Sequence, residues 1–335
     1  MKARWGGFFF ALLLVFSLFM TVNAFGAPYY QGKVITIIVG YGPGGGYDRI
    51  ARLVAKHLPK YIPGKPTVLV QNMPGADSMI AANYVYRIAK PDGLTIGTFN
   101  RGLVFAQLLK AEGVKFDLTK FAWIGSAAVE STVLVLRADL PYKTIHDVAK
   151  AKEPIVLGST GPADSSGQLA LFLKEFGGFN FKNVVYPSGN DIMLAIERKE
   201  VDGRGMTYSS SKIYIERGLV RPFVRGRVAE PGNENLPVDE DLAKDNVGKT
   251  LMAMRSTPDK MGRPYVMPPG TPEDKVKIIR EAFAKVAKDR EAAQDAKKIQ
   301  MSLEYVPADE VMKNLRYLLN QPANIVQEFS KYVKF

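Results

Sequence analysis

The chain has 335 residues, a formal net charge of +12 and no cysteine. The missing cysteine rules out a disulfide framework, a lipoprotein anchor and any cysteine-based zinc site, and the length favours two domains over one. The positive excess favours anionic small molecules or an acidic partner surface. With no block of five like charges, no aromatic-basic alternation and no nucleic-acid motif, it reads as a diffuse solvated surface, and nucleic acid is not an expected partner.

Lys2 and Arg4 precede an apolar run from Phe8 to Val22 that is short for a membrane span, and Val22-Asn23-Ala24 offers small residues for cleavage. Residues 1–24 therefore read as a secretory signal peptide cut near Ala24, with an uncleaved anchor as the alternative. Its removal leaves 12 − 2 = +10.

Six strand-favouring residues, Val34 to Val39, then run into Gly40, Gly42, Pro43, Gly44, Gly45 and Gly46 and an amphipathic helix opened by Asp48. A buried strand feeding a glycine-rich loop and a helix N-terminus holds an anion, because the backbone can approach closely and the first-turn N–H groups are unpaired. Ile50, Leu53, Val54 and Leu58 give that helix its apolar stripe. Strands at Val68 to Val70 and Leu94 to Phe99, with a helix after Asn72-Met73-Pro74-Gly75-Ala76 between them, predict an open parallel sheet whose loops at 40–47, 71–77 and 99–101 share one edge. Trp123 to Leu136 reads as one long extended stretch crossing to a second unit.

There the pattern repeats. Ile155 to Leu157 form a strand, residues 158–165 a glycine-serine loop, and Leu169, Ala170, Leu173 and Phe176 a helix stripe, followed by strands at Asn183 to Tyr186 and Val201 to Met206. Residues 231–264 read as loops and the return crossing. A periodic helix with Val276, Ile279, Phe283 and Val286 and two later helices are expected to pack on the first unit. The domain expectation is 25–125 with 252–335 as one lobe and 126–251 as the other. Two such units joined by two crossings describe a cleft in which one carboxylate bridges two sets of backbone N–H groups.

The runs P-G-G-G-Y-D-R-I-A-R at 43–52, V-Q-N-M-P-G-A at 70–76, P-D-G-L-T-I-G at 91–97, G-S-T-G-P-A-D-S at 158–165, K-E-V-D at 199–202 and M-P-P-G-T-P at 267–272 closely resemble the extracytoplasmic solute-binding receptors of tripartite tricarboxylate transporters. The resemblance implies an α/β, type II periplasmic binding-protein fold of two lobes, a periplasmic address, membrane transporter subunits as partners, and a monomer that binds a small organic acid. It assigns no catalysis, cofactor or metal. For the ligand site it points to Tyr41, Pro43, Gly44, Gly45, Gly46 and Asp48 in the first loop and to Ser159, Thr160, Gly161 and Ser165 in the second. Asn100, Met206, Thr207 and Tyr208 are added by their place at strand ends.

The chain departs from the family pattern at Asp77, where a glycine is usual, at Asp164, where a small residue is common, and at Gln168, where histidine is frequent. Asp77 and Asp164 join the expected site. Acids facing the cleft would repel a second carboxylate and suit an ammonium or hydroxyl-bearing ligand. The plain alternative for Asp48, Asp77 and Asp164 is helix N-capping, and for Tyr41, Tyr47 and Tyr208 packing in the cleft wall.

Rival readings are weaker. Gly40, Gly42 and Gly45 match the dinucleotide fingerprint of an NAD-dependent oxidoreductase, yet the second strand ends at Val70-Gln71-Asn72 with no acid for a ribose, and Pro43 stiffens the loop. No G-x-S-x-G elbow supports hydrolysis, and His57 and His146 read as structural. A basic polyanion-binding protein rests on net charge alone.

Overall fold

The computed structural model describes residues 27–161 and 164–335, with Ser165 as backbone only. The expected signal peptide lies outside the described residues. Among those described, no helix is long and apolar enough to cross a membrane.

In chain order the strands are β1 Val34–Val39, β2 Thr67–Asn72, β3 Thr95–Thr98, β4 Ala122–Ser126, β5 Thr132–Arg137, β6 Ile155–Ser159, β7 Phe181–Val185, β8 Gly203–Thr207, β9 Val220–Arg225, β10 Pro264–Met267 and β11 Val306–Pro307. The helices are α1 Gly46–His57, α2 Met79–Arg87, α3 Leu103–Leu108, α4 Ile145–Val148, α5 Ser165–Phe172, α6 Gly189–Glu197, α7 Tyr208–Glu216, α8 Asn246–Ser256, α9 Glu273–Val286, α10 Arg290–Lys298, α11 Ala308–Leu319 and α12 Ala323–Tyr332.

Two sheets result, ordered β11-β4-β10-β3-β1-β2 and β7-β6-β8-β5-β9. In the first, β1 pairs in parallel with β2 and β3, so Val39 stands level with Asn72 and with Thr98. Their following loops therefore open on one edge. The sheet is not purely parallel as expected: β10 enters antiparallel between β3 and β4, with Tyr265 opposite Thr98 and Pro264 opposite Ser126. An antiparallel strand begins where its parallel neighbours end, so the residue before Pro264 is delivered to the same edge. The second sheet is likewise mixed, β6 running parallel to β7 and β8 while β5 runs antiparallel to β8 and β9.

The expected single stretch from Trp123 to Leu136 is two strands in two sheets, β4 and β5, separated by the crossing residues 127–131. The return segment, expected to be irregular, carries α8, which starts at an Asp245 cap that accepts from Gly248 N. Its apolar residues Leu251, Met252 and Met254 are buried.

Burial follows the periodicities. Ile50, Leu53, Val54 and Leu58 join Val276, Ile279, Phe283 and Val286 against Ile35, Ile37 and Val39 on one face of the first sheet. On the other face the core runs without a break into the second lobe. The last helix makes that join: Phe329 sits 4.7 Å from Phe105 of the first lobe and 5.5 Å from Phe172 of the second, and Tyr332 sits 4.9 Å from Phe176. The C-terminal helix thus packs on both lobes and not on the first alone.

The crossings are pinned to each other. Glu130 N donates to Asp259 O at 3.1 Å, and Ala127 N to Arg263 O at 3.3 Å. Gly262 has φ +56°, and a Cβ there would lie 1.4 Å from Ala128 O. Gly262→Ala is therefore expected to lower the unfolding free energy by ~3 kcal/mol or more, read by urea denaturation. A loss within about 1 kcal/mol would mean that the crossing relaxes freely around the added methyl.

Candidate functional site

A cavity of about 120 Å³ lies between the lobes. Tyr41, Gly42, Gly44, Gly45, Gly46, Tyr47 and Asn100 wall it from the first lobe, and Thr160, Asp164, Ser166, Met193, Met206, Thr207, Ser210 and Tyr214 from the second. Four guanidinium groups also reach it, those of Arg49, Arg101, Arg204 and Arg263.

The first loop is built to keep its backbone exposed. Gly44 takes φ +82° and Gly45 stands at the N-cap of α1 in an extended conformation with no side-chain cap. Asp48 supports this from behind: its Oδ2 accepts from Gly44 N at 2.8 Å and Arg52 Nε at 2.9 Å, and its Oδ1 from Asn72 Nδ2 at 2.9 Å. Although burial opposes it, these donors hold the carboxyl below the usual range. Asp48 is only 2% exposed and does not line the cavity. It braces the loop that the sequence placed it in.

Arg263 brings contacts from both lobes to the cavity. Its Nε donates to Glu130 Oε1 at 2.5 Å, and its Nη2 to Thr207 Oγ1 at 3.0 Å and Ser210 Oγ at 3.0 Å. The guanidinium lies 5.3 Å from the ring centre of Tyr47, and the Cβ that Gly46 lacks would sit 2.3 Å from Nη1. Nη1 is buried and finds no partner among the described residues. A helix N-terminus and an unspent guanidinium N–H therefore meet at one corner, both attractive to an anion. Arg101, by contrast, is spent on Asp259 at 2.7 Å and Thr132 Oγ1 at 3.2 Å.

The acids are placed differently from expectation. Asp164 does cap α5, accepting from Ser166 N at 2.9 Å, and also lines the cavity. Asp77 caps no helix among the described residues. Gly75, Ala76, Asp77 and Ser78 take φ of +125°, +45°, +52° and +77°, three of them non-glycine residues in the left-handed region. Such strain, on the order of 1–3 kcal/mol per residue, persists where the surroundings enforce it. Here Ser78 Oγ holds Gly40 O at 2.9 Å and the loop turns the Asp77 carboxyl toward the second lobe. Thr160 Oγ1 lies 3.3 Å from Asp77 Oδ1 and 3.1 Å from Asp164 Oδ2. Asn100 and Tyr41 also bond the Asp77 carboxyl. Burial first, and the Asp164 carboxylate second, push Asp77 up to about 8. One hydroxyl proton cannot serve both acids, and a protonated Asp77 resolves the conflict. A neutral Asp77 does not repel an anionic ligand in the way its sequence position suggested.

Of the other expected residues, Tyr41, Gly44, Gly45, Gly46, Asn100, Thr160 and Thr207 line the cavity. Pro43 lends only its carbonyl, which accepts from Asn190 Nδ2 of the second lobe at 2.6 Å. Ser159 and Gly161 open on a separate hollow beside Lys174 and Tyr332, and Ser159 Oγ accepts from Asn183 at 2.7 Å. Tyr208 turns away to donate to Gly232 O at 2.8 Å. The Ser165 side chain lies outside the description. His57 is buried beside Asp295, its Nε2 3.0 Å from Oδ2. The arginines were missed because the excess charge read as diffuse. Their only sequence signal is adjacency: Arg101 follows Asn100, and Arg263 follows the Gly262 turn.

The sequence matches the description "Tripartite tricarboxylate transporter family receptor" over residues 50–330. The chain belongs to that receptor family. Among relatives of the receptor, a UPF0065 protein of Bordetella pertussis is 28% identical over 208 residues, covering 60% of this chain and 63% of its own length. A UPF0065 protein of Agrobacterium vitis is 30% identical over 178 residues, 52% of this chain and 50% of its own. The chain thus spans under two thirds of the curated relatives it matches. In fold, the receptor is similar to the periplasmic binding protein BugD (TM-score 0.75, 21% identity, 91% of this chain and 99% of that one). It is also similar to MatC of Rhodopseudomonas palustris with bound malate (0.67, 17%, 88% and 99%) and to an R. palustris protein with adipate (0.73, 17%, 89% and 97%).

A carboxyl protonated to about 8 in the folded receptor and ionised above ~4 when unfolded binds its proton more tightly in the fold. Its contribution to stability is full below about pH 4 and is lost as pH rises toward about 8. Asp77→Asn is therefore expected to melt close to the native receptor at about pH 4 and progressively above it toward pH 8. A melting difference that stays constant over that range would show that Asp77 is ionised in the fold.

Proposed function

We propose that the chain is a periplasmic receptor that captures a small organic acid in the inter-lobe cavity, closes on it by hinge motion, and presents it to membrane transporter subunits without chemistry of its own. The observation that carries this reading is the corner formed by the N-terminus of α1 and the buried, unspent Nη1 of Arg263, in a cavity walled by both lobes. Its size is of the same order as the ~150 Å³ cavity that accommodates benzene, which suits a short-chain acid. The malate and adipate in two proteins of the same fold agree in ligand class. The mature chain reaches the periplasm, on this reading, by cleavage near Ala24.

The oxidoreductase alternative gains nothing from the geometry. The residue that ends β2, where the fingerprint calls for an acid, is Asn72, and its amide is engaged with Tyr41 O and Asp48. The polyanion-binding alternative asks for an outward basic face, whereas Arg204 and Arg263 are buried in the cavity wall.

A thermal-shift screen over di- and tricarboxylates, amino acids and aromatic acids tests the proposal. A ligand that binds only the folded form adds ~2.7 kcal/mol at a hundredfold excess over Kd. At least one acid is expected to raise the melting temperature; a shift with NAD and with none of the acids would overturn the reading. Gly45→Val supplies the site control. Gly45 has φ −73° and ψ 172°, open to any residue, and an added Cβ would meet only Gly42 O at 3.8 Å. The variant is expected to keep the native melt and lose the response to the acid, and an undiminished response would remove this loop from the site.

A further inference from the structure

The hollow on which Ser159 and Gly161 open shares no lining residue with the inter-lobe cavity. It measures about 290 Å³, against the ~150 Å³ of a cavity that accommodates benzene. Its floor is one face of β6 and β7, where the parallel register sets Leu157 level with Asn183 and Ser159 level with Val185. On one side α5 walls it with Gly167, Ala170 and Leu171, seated so closely that a Cβ on Gly167 would lie 2.8 Å from that of Ser159. Tyr332 and Val333, near the end of the chain, wall it too. The outer strand of this sheet is β7, and its Val185 remains 65% exposed.

The lining is mostly apolar, and its charged groups are all cations. Leu157, Ala170, Phe181 and Val333 are buried, whereas Lys174, Lys182 and Lys334 are exposed, and no acid stands among the lining residues. Among the described residues none of these three lysines makes an ion pair. Their neighbour Lys331 does, with Glu328 at 2.6 Å. An apolar surface left open to water favours a hydrocarbon, and unmatched cations around it favour an anion. One molecule meets both demands when it carries a hydrocarbon tail and an anionic head.

We propose that this hollow is a second binding site, for a free single-chain amphiphile of the medium-chain fatty-acid kind. Its tail lies along the face of β6 and β7 and covers Val185, and its anionic head is met by Lys174, Lys182 and Lys334. The site stands back to back with the inter-lobe cavity, because Thr160, which lines that cavity, sits between Ser159 and Gly161, which line this one. The assignment does not depend on what the inter-lobe cavity holds.

Calorimetric titration of the receptor with hexanoate, octanoate and decanoate, each below its micellar range, tests it. Affinity is expected to rise by up to about fourfold per added methylene, the worth of burying one CH2. Decanol and decyltrimethylammonium are expected to bind about fivefold or more weakly than decanoate, since they bring no anion to the lysines. A triple variant, Lys174→Glu with Lys182→Glu and Lys334→Glu, changes only exposed positions. It is expected to keep the native melt and lose about fivefold or more in decanoate affinity. Leu171→Asp, which sets a carboxylate in the lining, is expected to weaken decanoate in the same way. Gly45→Val, changed in the inter-lobe cavity instead, is expected to bind decanoate as the native receptor does. No binding of decanoate, no dependence on chain length, equal binding of the three head groups, or an undiminished affinity in either lining variant that folds overturns the assignment. Loss of decanoate in Gly45→Val would place the fatty acid in the inter-lobe cavity and overturn it as well. So would capture on phosphatidylglycerol vesicles without binding of free decanoate, which would make the patch a contact for a lipid surface.

Discussion

The side chain of Arg263 touches both lobes and the first crossing at once. One nitrogen is held by Glu130 in the first crossing, another by Thr207 and Ser210 of the second lobe, and the flat of the group lies on Tyr47 and Gly46 of the first. Removing a charge of this kind from water costs several kcal/mol, recovered only when the geometry supplies both a counter-ion and hydrogen bonds. The contacts of this one guanidinium therefore join both lobes.

Around this cation two other buried arginines are met by carboxylates. Arg101 is met by Asp259 and Arg255 by Asp239, both inside the crossing region. Glu230, buried next to Glu130, is pushed up to about 7 by burial and by that neighbour. Asp77 is likewise pushed up, by burial and by Asp164, so both buried acids are shifted toward the neutral form. An acid beside a cleft therefore need not make the cleft negative.

At α12 the two lobes share one apolar core. Phe329 is shared by Phe105 and Phe172, and the apolar core is continuous through it. The bonds from Asn190 to Pro43 and from Thr160 to Asp77 also join the two lobes.

Local sequence was enough to read β1, the glycine loop and α1, because six strand formers, a run of glycines and a helical stripe act through neighbours in the chain. The strand-helix-strand run of β1 to β3 followed from the same kind of signal, and the family from the resemblance of the quoted motifs. The electrical character of the cleft did not. Arg263 and Glu130 are 133 positions apart, and Arg263 reaches the edge only because β10 inserts antiparallel into a sheet whose other visible members read as parallel. Asp48 and Asp77 both stand at helix starts in sequence, yet one turns inward to brace Gly44 and the other, carried by three residues of positive φ, turns across to Thr160. Propensity and periodicity report what a residue does to its own segment. Which charges are buried together, and which of them keeps its proton, depends on distances between segments that only the assembled fold sets.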